Sequence, residues 1–220
     1  MLYTLVDRLT ILSPLALLVG ICLGIYKFRT LNQAHRILFF YLVLCLTFDV
    51  LTRLPVWMKQ PNLILLVLFS LFELLLFYVL YRQWYSNKKH PVLLVIVPVG
   101  IGYILWELFT TDFRNASGFQ SYAKVVDTVC IMAMAVGYFF DELQHPSHTM
   151  GYFFRLNSVL LICFSFYIVF FIPINFLIEQ NTSAQLYLWL VHLLVTVGLY
   201  IYITIELCRN GKTRRQLPFG

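Results

Sequence analysis

Long apolar runs separated by short polar segments dominate the pattern of the chain. Each run is close to the length of about 20 apolar residues that a helix needs to cross a bilayer core. The runs lie at about 9–26, 36–54, 62–81, 91–109, 119–140, 153–178 and 185–207. They are continuously apolar, whereas strands of a membrane barrel alternate at every second residue. The pattern predicts an all-α fold, a polytopic membrane protein built as a seven-transmembrane-helix bundle.

Composition supports lipid as the solvent of this chain. Of the 220 residues, 60% are hydrophobic and 12% are charged, whereas soluble domains carry about 25% charged residues. The aromatic share of 17% suits a helical membrane protein with aromatic belts at both interfaces. We therefore expect a single transmembrane domain over residues 1–220, in contact with the lipid bilayer. The net charge of +6 fits a basic cytoplasmic face, and no nucleic-acid partner is indicated.

The connecting segments share the 16 lysines and arginines unequally. If successive helices are antiparallel, these segments fall alternately on the two sides of the membrane. One side holds eleven of them, namely Lys27, Arg29, Arg36, Arg82, Lys88, Lys89, Arg155, Arg209, Lys212, Arg214 and Arg215. The other side holds five, namely Arg8, Arg53, Lys59, Arg114 and Lys124. The positive-inside rule then predicts that the N-terminus is outside and the C-terminus is cytoplasmic.

The second apolar run contains an acidic and a basic residue in the stretch FDVLTR. Asp49 and Arg53 are four residues apart, which puts both side chains on one face of a helix. Pairing removes much of the cost that either charge would have alone in hydrocarbon. We expect Arg53 to be held by Asp49, and not only by lipid headgroups as an arginine near a helix end can be.

Three other runs each carry an ionisable residue at a similar depth: Glu73, Asp127 and His192. Exposure of any of these side chains to lipid would cost considerable free energy, so we expect them to face the bundle interior or an outward vestibule. Glu73 would form the floor of this pocket, linked to Asp127 or His192 directly or through water, with Arg53 or His192 as its nearest cation. The predicted ligand-binding residues are Asp49, Arg53, Glu73, Tyr103, Asp127, Asn175 and His192.

Other chemistries of the same residues remain open at this stage. Carboxylates with a histidine resemble a hard-metal site, and a metal-activated water would imply an intramembrane enzyme. The sequence has no HExxH motif and one histidine in the apolar runs, so we predict no metal and no cofactor. Acidic groups on several helices can also form a transport relay. In the inner half of the predicted bundle, the only polar residues of this kind are Asn157 and Glu206, so the sequence shows no continuous polar path across the membrane. This favours binding over transport.

The order of segments resembles a group of uncharacterised small seven-helix membrane proteins from Bacteroidota. The stretches that carry the resemblance are LSPLALLVGICLGIYKFRTLN, LFFYLVLCLTFDVLTR, LFSLFELLLFYVLYRQW, SYAKVVDTVCIMAMAVGYFFDEL and YFFRLNSVLLICFSFYIVFF. The group's acidic residue four before an arginine corresponds to Asp49 and Arg53, and its third-helix glutamate to Glu73. Its fifth-helix glutamate is replaced by Asp127, and its sixth-helix asparagine corresponds to Asn157. The resemblance implies a bacterial inner membrane and a link to signalling histidine kinases.

These observations favour a membrane sensor or receptor-like transducer over an enzyme. Such a protein would bind a small-molecule ligand in an outward-facing polar pocket. It would pass the signal to a separate partner protein, such as a histidine kinase. The first alternative is a small-molecule or proton-coupled transporter, and the second is a metal-dependent intramembrane enzyme.

The unequal distribution of basic residues leads to a labelling experiment. A cysteine introduced at Gln180 should react with a membrane-impermeant thiol reagent added outside, because that segment is predicted to be external. A cysteine at Lys212 should react only after the membrane is opened. The reverse pattern would overturn both the orientation and the outward pocket.

Overall fold

The computed structural model describes residues 9–57, 63–85, 90–111, 121–144, 150–177 and 183–213 of the chain. Within these ranges it describes the side chains of residues 9–53, 63–85, 90–111, 121–144, 153–172 and 187–209. All statements below concern these residues.

The described residues form seven long helices, and no strand occurs among them. The helices are α1 Leu12–Lys27, α2 Gln33–Trp57, α3 Leu63–Trp84, α4 Val92–Thr110, α5 Ala123–Gln144, α6 Met150–Leu177 and α7 Ser183–Thr213. A single 3₁₀ turn, Phe28–Thr30, follows α1. All seven helices are long and apolar enough to cross a membrane. The predicted multi-pass, all-α membrane fold is therefore confirmed.

Two prolines affect the helices in different ways. The first turn of α4, Val92–Ile96, is π-helical, and Pro98 follows it after Val97. A proline removes one backbone donor and crowds the carbonyl four residues earlier, which a widened turn relieves. Pro55, by contrast, does not end α2, which extends to Trp57 and thus beyond the predicted limit of residue 54.

Six of the helices form a closed ring. Going around it, α1 packs on α2, α2 on α3, α3 on α5, α5 on α6, α6 on α7, and α7 returns to α1. Helix α4 packs on α3 and α5 and lies outside this ring. The order along the chain therefore differs from the order around the ring, because α3 and α5 are direct neighbours.

The bundle has two ends that we name by their contents. The cavity end holds the beginnings of α1, α3, α5 and α7 and the ends of α2 and α6, as the residues around its large cavity show, together with the end of α4, where Glu107 accepts a hydrogen bond from Ser121. The opposite end holds the other helix termini, where Lys27 Nζ donates to the Cys208 carbonyl. Neighbours in sequence are thus antiparallel, as the short connections predict.

The outer surface of the helices is apolar. Many large side chains point outward, including Val19, Val99, Phe109 and Val169, of which Phe109 is 83% exposed. In water this surface would be strongly unfavourable, whereas lipid tails solvate it. The outward face of the bundle therefore suits a lipid environment.

A packed layer occupies the ring between the cavity and the opposite end. The Tyr41 ring meets the Phe77 ring at 5.2 Å, and Phe77 meets Phe164 at 5.1 Å, both edge to face. Below them the Tyr81 hydroxyl donates to Asn157 Oδ1 at 2.7 Å. Asn157 Nδ2 in turn donates to the Ala135 carbonyl at 2.9 Å. These contacts join α2, α3, α5 and α6 through one buried layer.

Helix α4 offers a matched pair of glycines that tests its packing. A Cβ at Gly100 would lie 2.5 Å from Cys130 Sγ and 3.3 Å from Leu74 Cδ2, whereas Gly102 has nothing within 4 Å. Gly100→Leu should therefore lower the free energy of unfolding by about 1–3 kcal/mol through overpacking. Gly102→Leu should be neutral or stabilising by up to about 1 kcal/mol, because leucine favours helix.

Thermal unfolding in detergent measures both glycine variants. Equal melting temperatures for the two would show that α4 does not pack on α3 and α5 in this register.

Candidate functional site

A cavity of about 740 Å³ lies inside the ring at the cavity end. This size is within the range of small-molecule binding sites. Its walls come from α1, α2, α3, α5, α6 and α7. The polar and ionisable lining residues are Thr10, Ser13, Tyr41, Cys45, Asp49, Thr52, Arg53, Glu73, Ser121, Lys124, Tyr167, His192, Thr196 and Tyr200. The remaining lining residues are Phe48, Leu63, Leu65, Leu66, Phe69, Phe171, Trp189 and Leu193.

A buried ionic cluster forms the inner wall of this cavity. Lys124 Nζ on α5 pairs with Glu73 Oε2 on α3, and it also lies 2.9 Å from Asp127 Oδ2. The Tyr41 hydroxyl donates to the other Glu73 oxygen at 3.0 Å. Side-chain exposure is 5% for Lys124, 1% for Glu73 and 0% for Asp127. We call Glu73, Lys124 and Asp127 the charge triad.

The triad joins residues at different positions along their helices. Glu73 lies deep in α3, whereas Lys124 lies near the start of α5. Glu73 lies ten residues after the beginning of α3 at Leu63, which corresponds to a depth of about 15 Å. Lys124 lies in the first turn of α5, on the buried face that also carries Asp127, Thr128 and Ile131. A lysine side chain extends far enough to bring its ammonium group from that turn to the glutamate.

The triad is not balanced in charge. It contains two carboxyl groups and one ammonium group, and Asp127 Oδ1 is fully buried with no hydrogen-bond partner among the described residues. A third buried carboxyl group, Glu107 on α4, accepts a hydrogen bond from the Ser121 hydroxyl at 2.6 Å. A low-dielectric interior disfavours uncompensated charge. A further positive charge or a proton would therefore stabilise these carboxyl groups.

Asp49 and Arg53 form the predicted pair nearer the end of α2. Arg53 Nε donates to Asp49 Oδ2 at 3.1 Å, and Nη2 donates to Oδ1 at 3.3 Å and to the Thr10 carbonyl at 3.4 Å. The side chains are 39% and 24% exposed for Arg53 and Asp49. The pairing is confirmed, and the pair lines the cavity and is partly exposed instead of fully buried.

His192 lies in an aromatic cluster on another wall. Its ring is 5.1 Å from the Tyr167 ring, 5.2 Å from Phe171 and 5.8 Å from Trp189. The Tyr167 hydroxyl donates to Thr196 Oγ1 at 3.2 Å, which ties α6 to α7 beside the histidine. His192 therefore lines the cavity, but it is not a direct hydrogen-bond partner of Glu73.

The seven predicted site residues divide into four groups. Asp49, Arg53, Glu73 and His192 line the cavity, and Asp127 lies behind the wall and reaches it through Lys124. Tyr103 is not brought to the site: it is half-buried on the peripheral helix α4, with its ring 5.7 Å from that of Trp106. The side chain of Asn175 lies outside the described residues.

The partner of Glu73 differs from the prediction. Arg53 and His192 were the expected cations, and the structure has Lys124 there instead. The predicted link from Glu73 to Asp127 exists, but Lys124 carries it. A lysine at a helix end ordinarily extends towards headgroups, so sequence reasoning missed this residue. The spacing of Lys124 and Asp127, three residues apart on one helix face, was the available signal.

Neither a metal centre nor a known relative gives the site an assignment. Among the described residues, no three His, Cys, Asp or Glu side chains lie close enough together to hold a metal ion. No family model, curated protein or solved structure matches the chain. The site must therefore be interpreted from its own geometry, which offers a large aromatic cavity with buried charges at its inner wall.

The triad leads to a stability prediction. Lys124→Met would leave two buried carboxyl groups without their cation, and breaking a buried pair this way costs on the order of 3–5 kcal/mol. Adding Glu73→Gln and Asp127→Asn should recover much of the loss, because no unpaired charge then remains. Arg53→Met is the control, and its half-exposed pair should cost less than about 1 kcal/mol.

Denaturant unfolding in detergent measures these variants. If Lys124→Met were no more destabilising than Arg53→Met, the triad would not be a buried interaction.

Proposed function

We propose that this chain is a membrane sensor or receptor-like transducer, whose outward-facing cavity binds a small-molecule ligand. The observation that carries the proposal is the cavity of about 740 Å³, which is walled by six helices and is lined by Glu73 and Lys124 of the triad. A ligand there contacts the bridge between α3 and α5 directly. Ligand binding can therefore favour one arrangement of these helices over another, which is how a ligand shifts a conformational equilibrium.

The two bridged helices continue into the opposite half of the bundle. Helix α3 carries Glu73 at the cavity and Tyr81 in the packed layer, and Tyr85 follows its last residue. The Tyr85 hydroxyl donates to the Met134 carbonyl of α5 at 2.7 Å, and Tyr81 reaches α5 through Asn157. A shift of α3 against α5 at the triad would therefore also displace the contacts that Tyr81 and Tyr85 make in the opposite half.

The opposite end supplies a surface for a partner protein. Arg29, Arg82 and Arg155 are exposed there, and Arg209 is 62% exposed in its pair with Glu206. In the proposed orientation this basic end faces the cytoplasm of a bacterial inner membrane. A separate signalling protein, such as a histidine kinase, would read the helix arrangement at this surface.

A transporter is the second candidate, and one observation favours it. A smaller cavity of about 360 Å³ lies at the opposite end, lined by Asn32, Gln33, Ala34, Gln83, Trp84, Tyr138, Glu142 and Phe153. Along α3 only eleven residues, or about 16 Å, separate Glu73 of the large cavity from Trp84 of the small one. Two cavities on either side of a packed layer are also expected of an alternating-access carrier.

Covalent occupation of the cavity tests the transducer. Cys45 lines the cavity, whereas Cys163 lies on α6 away from it. A chain that keeps only Cys45 would be modified with a neutral benzyl thiosulfonate reagent, and a chain that keeps only Cys163 is the matched control. Modification at Cys45 should change hydrogen–deuterium exchange of the Phe28–Thr30 turn at the opposite end several-fold. Modification at Cys163 should leave it unchanged.

Unchanged exchange at the opposite end with Cys45 fully modified would contradict the transducer. Loss of a trapped solute from proteoliposomes, abolished by the Cys45 modification, would favour the transporter instead.

A further inference from the structure

The large cavity combines aromatic rings with carboxyl groups, which outnumber the lysines and arginines once the residues directly behind the wall are counted. Seven rings of phenylalanine, tyrosine and tryptophan line it, namely Tyr41, Phe48, Phe69, Tyr167, Phe171, Trp189 and Tyr200. Aromatic faces attract cations, and the attraction is strongest where water is excluded. The rings of this cavity therefore suit a positively charged guest better than a negatively charged one.

The ammonium group of Lys124 already lies against two of these rings. Lys124 Nζ lies 4.9 Å from the centroid of the Phe69 ring and 6.0 Å from that of Tyr167. Its ammonium group is also paired with Glu73, which lines the cavity. The structure thus shows an ammonium group held by a carboxylate and two rings at the inner wall.

The charges of the surrounding residues are not balanced by that lysine. Among the described residues, the carboxyl groups on and directly behind the cavity wall are Asp49, Glu73, Glu107 and Asp127. The lysines and arginines that pair with these carboxyl groups are Arg53 and Lys124. Of these carboxyl oxygens, Asp127 Oδ1 is fully buried and has no hydrogen-bond partner among the described residues.

We propose that the ligand of this cavity is a small organic ammonium compound with an aromatic or apolar body, and that its ammonium group competes with Lys124 for Glu73. The proposal rests on the proposed function and names the ligand class of the same site. The body of the ligand would lie against Phe48, Trp189 and their neighbours, where apolar contact is available. The positive charge would offset the excess of carboxyl groups at the inner wall.

An anionic ligand is disfavoured by the arrangement of the cations. Arg53 already uses two nitrogens on Asp49, and Lys124 is held by two carboxylates. An anion would have to break one of these pairs and then face the carboxyl groups it displaced. An ammonium ligand instead leaves Lys124 paired with Asp127 when it takes over Glu73.

This exchange also explains how ligand binding would reach the helices. Lys124 is the direct ionic bridge between α3 and α5, because Glu73 belongs to α3 and Asp127 to the same helix as Lys124. Transfer of Glu73 to the ligand converts a contact between two helices into a contact within α5. The two helices then lose their ionic bridge, while every charge keeps a partner.

Three probes of similar size and different charge test the proposal on the purified full chain. They are 2-phenylethylammonium, neutral 2-phenylethanol and anionic 3-phenylpropanoate, each titrated at constant ionic strength and followed by thermal shift and calorimetry. The ammonium probe should bind at least about tenfold more tightly than either of the others, since its charge is desolvated against carboxylate and rings. Equal binding of all three, or tighter binding of the anion, would overturn the proposal.

Two substitutions in the triad should act in opposite directions. Glu73→Gln should weaken binding of 2-phenylethylammonium at least about tenfold and remove its advantage over 2-phenylethanol. Lys124→Met should strengthen it, because the internal competitor is gone, and the probe should raise the melting temperature of this variant more than that of the parent chain. A merely structural role of the triad would weaken binding in both variants.

A buried carboxyl group at the opposite end supplies the matched control. Glu206 is 2% exposed and pairs with Arg209, far from the cavity. Glu206→Gln should bind the ammonium probe as the parent chain does, and an equal loss in Glu206→Gln and Glu73→Gln would count against the proposal. Failure of the ammonium preference would leave the covalent test at Cys45 unaffected, so the ligand class and the transducer can fail separately.

Discussion

The arrangement of the bundle depends on the ionic contact between Lys124 and Glu73. Two buried carboxyl groups and a buried ammonium group cannot face lipid, and each needs a partner inside the protein. The contact requires α3 and α5 to be neighbours in the ring, although α4 lies between them in sequence. Helix α4 is displaced to the periphery as a consequence, and Tyr103 is carried away from the cavity with it.

The bundle differs chemically on the two sides of this contact. At the cavity end, charges and aromatic rings surround open space. In the packed layer, neutral groups are satisfied by close partners, as where Tyr81 donates to Asn157 and Asn157 to a backbone carbonyl. Neutral hydrogen bonds in a packed interior hold a single arrangement, whereas paired charges next to a cavity can exchange partners with a ligand. The cavity end is thus the half where a bound molecule can alter the helix contacts.

The sequence predicts the features of this structure that arise within single helices. Seven apolar runs are enough to predict the helices, and the spacing of Asp49 and Arg53 is enough to predict their pair. Depth along each helix correctly groups Glu73, Asp127 and His192 at one end. Depth does not give the direction in which a helix face points, and this is why Tyr103, predicted at the same depth, does not line the cavity. The partner of Glu73 is 51 positions away in sequence, so only the packing of α3 on α5 reveals it.

The position of Lys124 at a cavity supports the proposed ligand exchange over a purely structural role of the triad. A bundle that needed only stability would gain little from three buried charges, because an apolar replacement of similar volume is often at least as stable. A charge cluster at a cavity is different, since the proposed ligand would reach the bridge from the side of Glu73, which lines the cavity. In the proposed exchange, Asp127, fully buried behind the cavity wall, would hold Lys124 in place when Glu73 changes partner. Because Glu73 lines the cavity and Asp127 does not, the proposed exchange gives the two carboxyl groups different roles: Asp127 would anchor the lysine, and Glu73 would exchange it for the ligand.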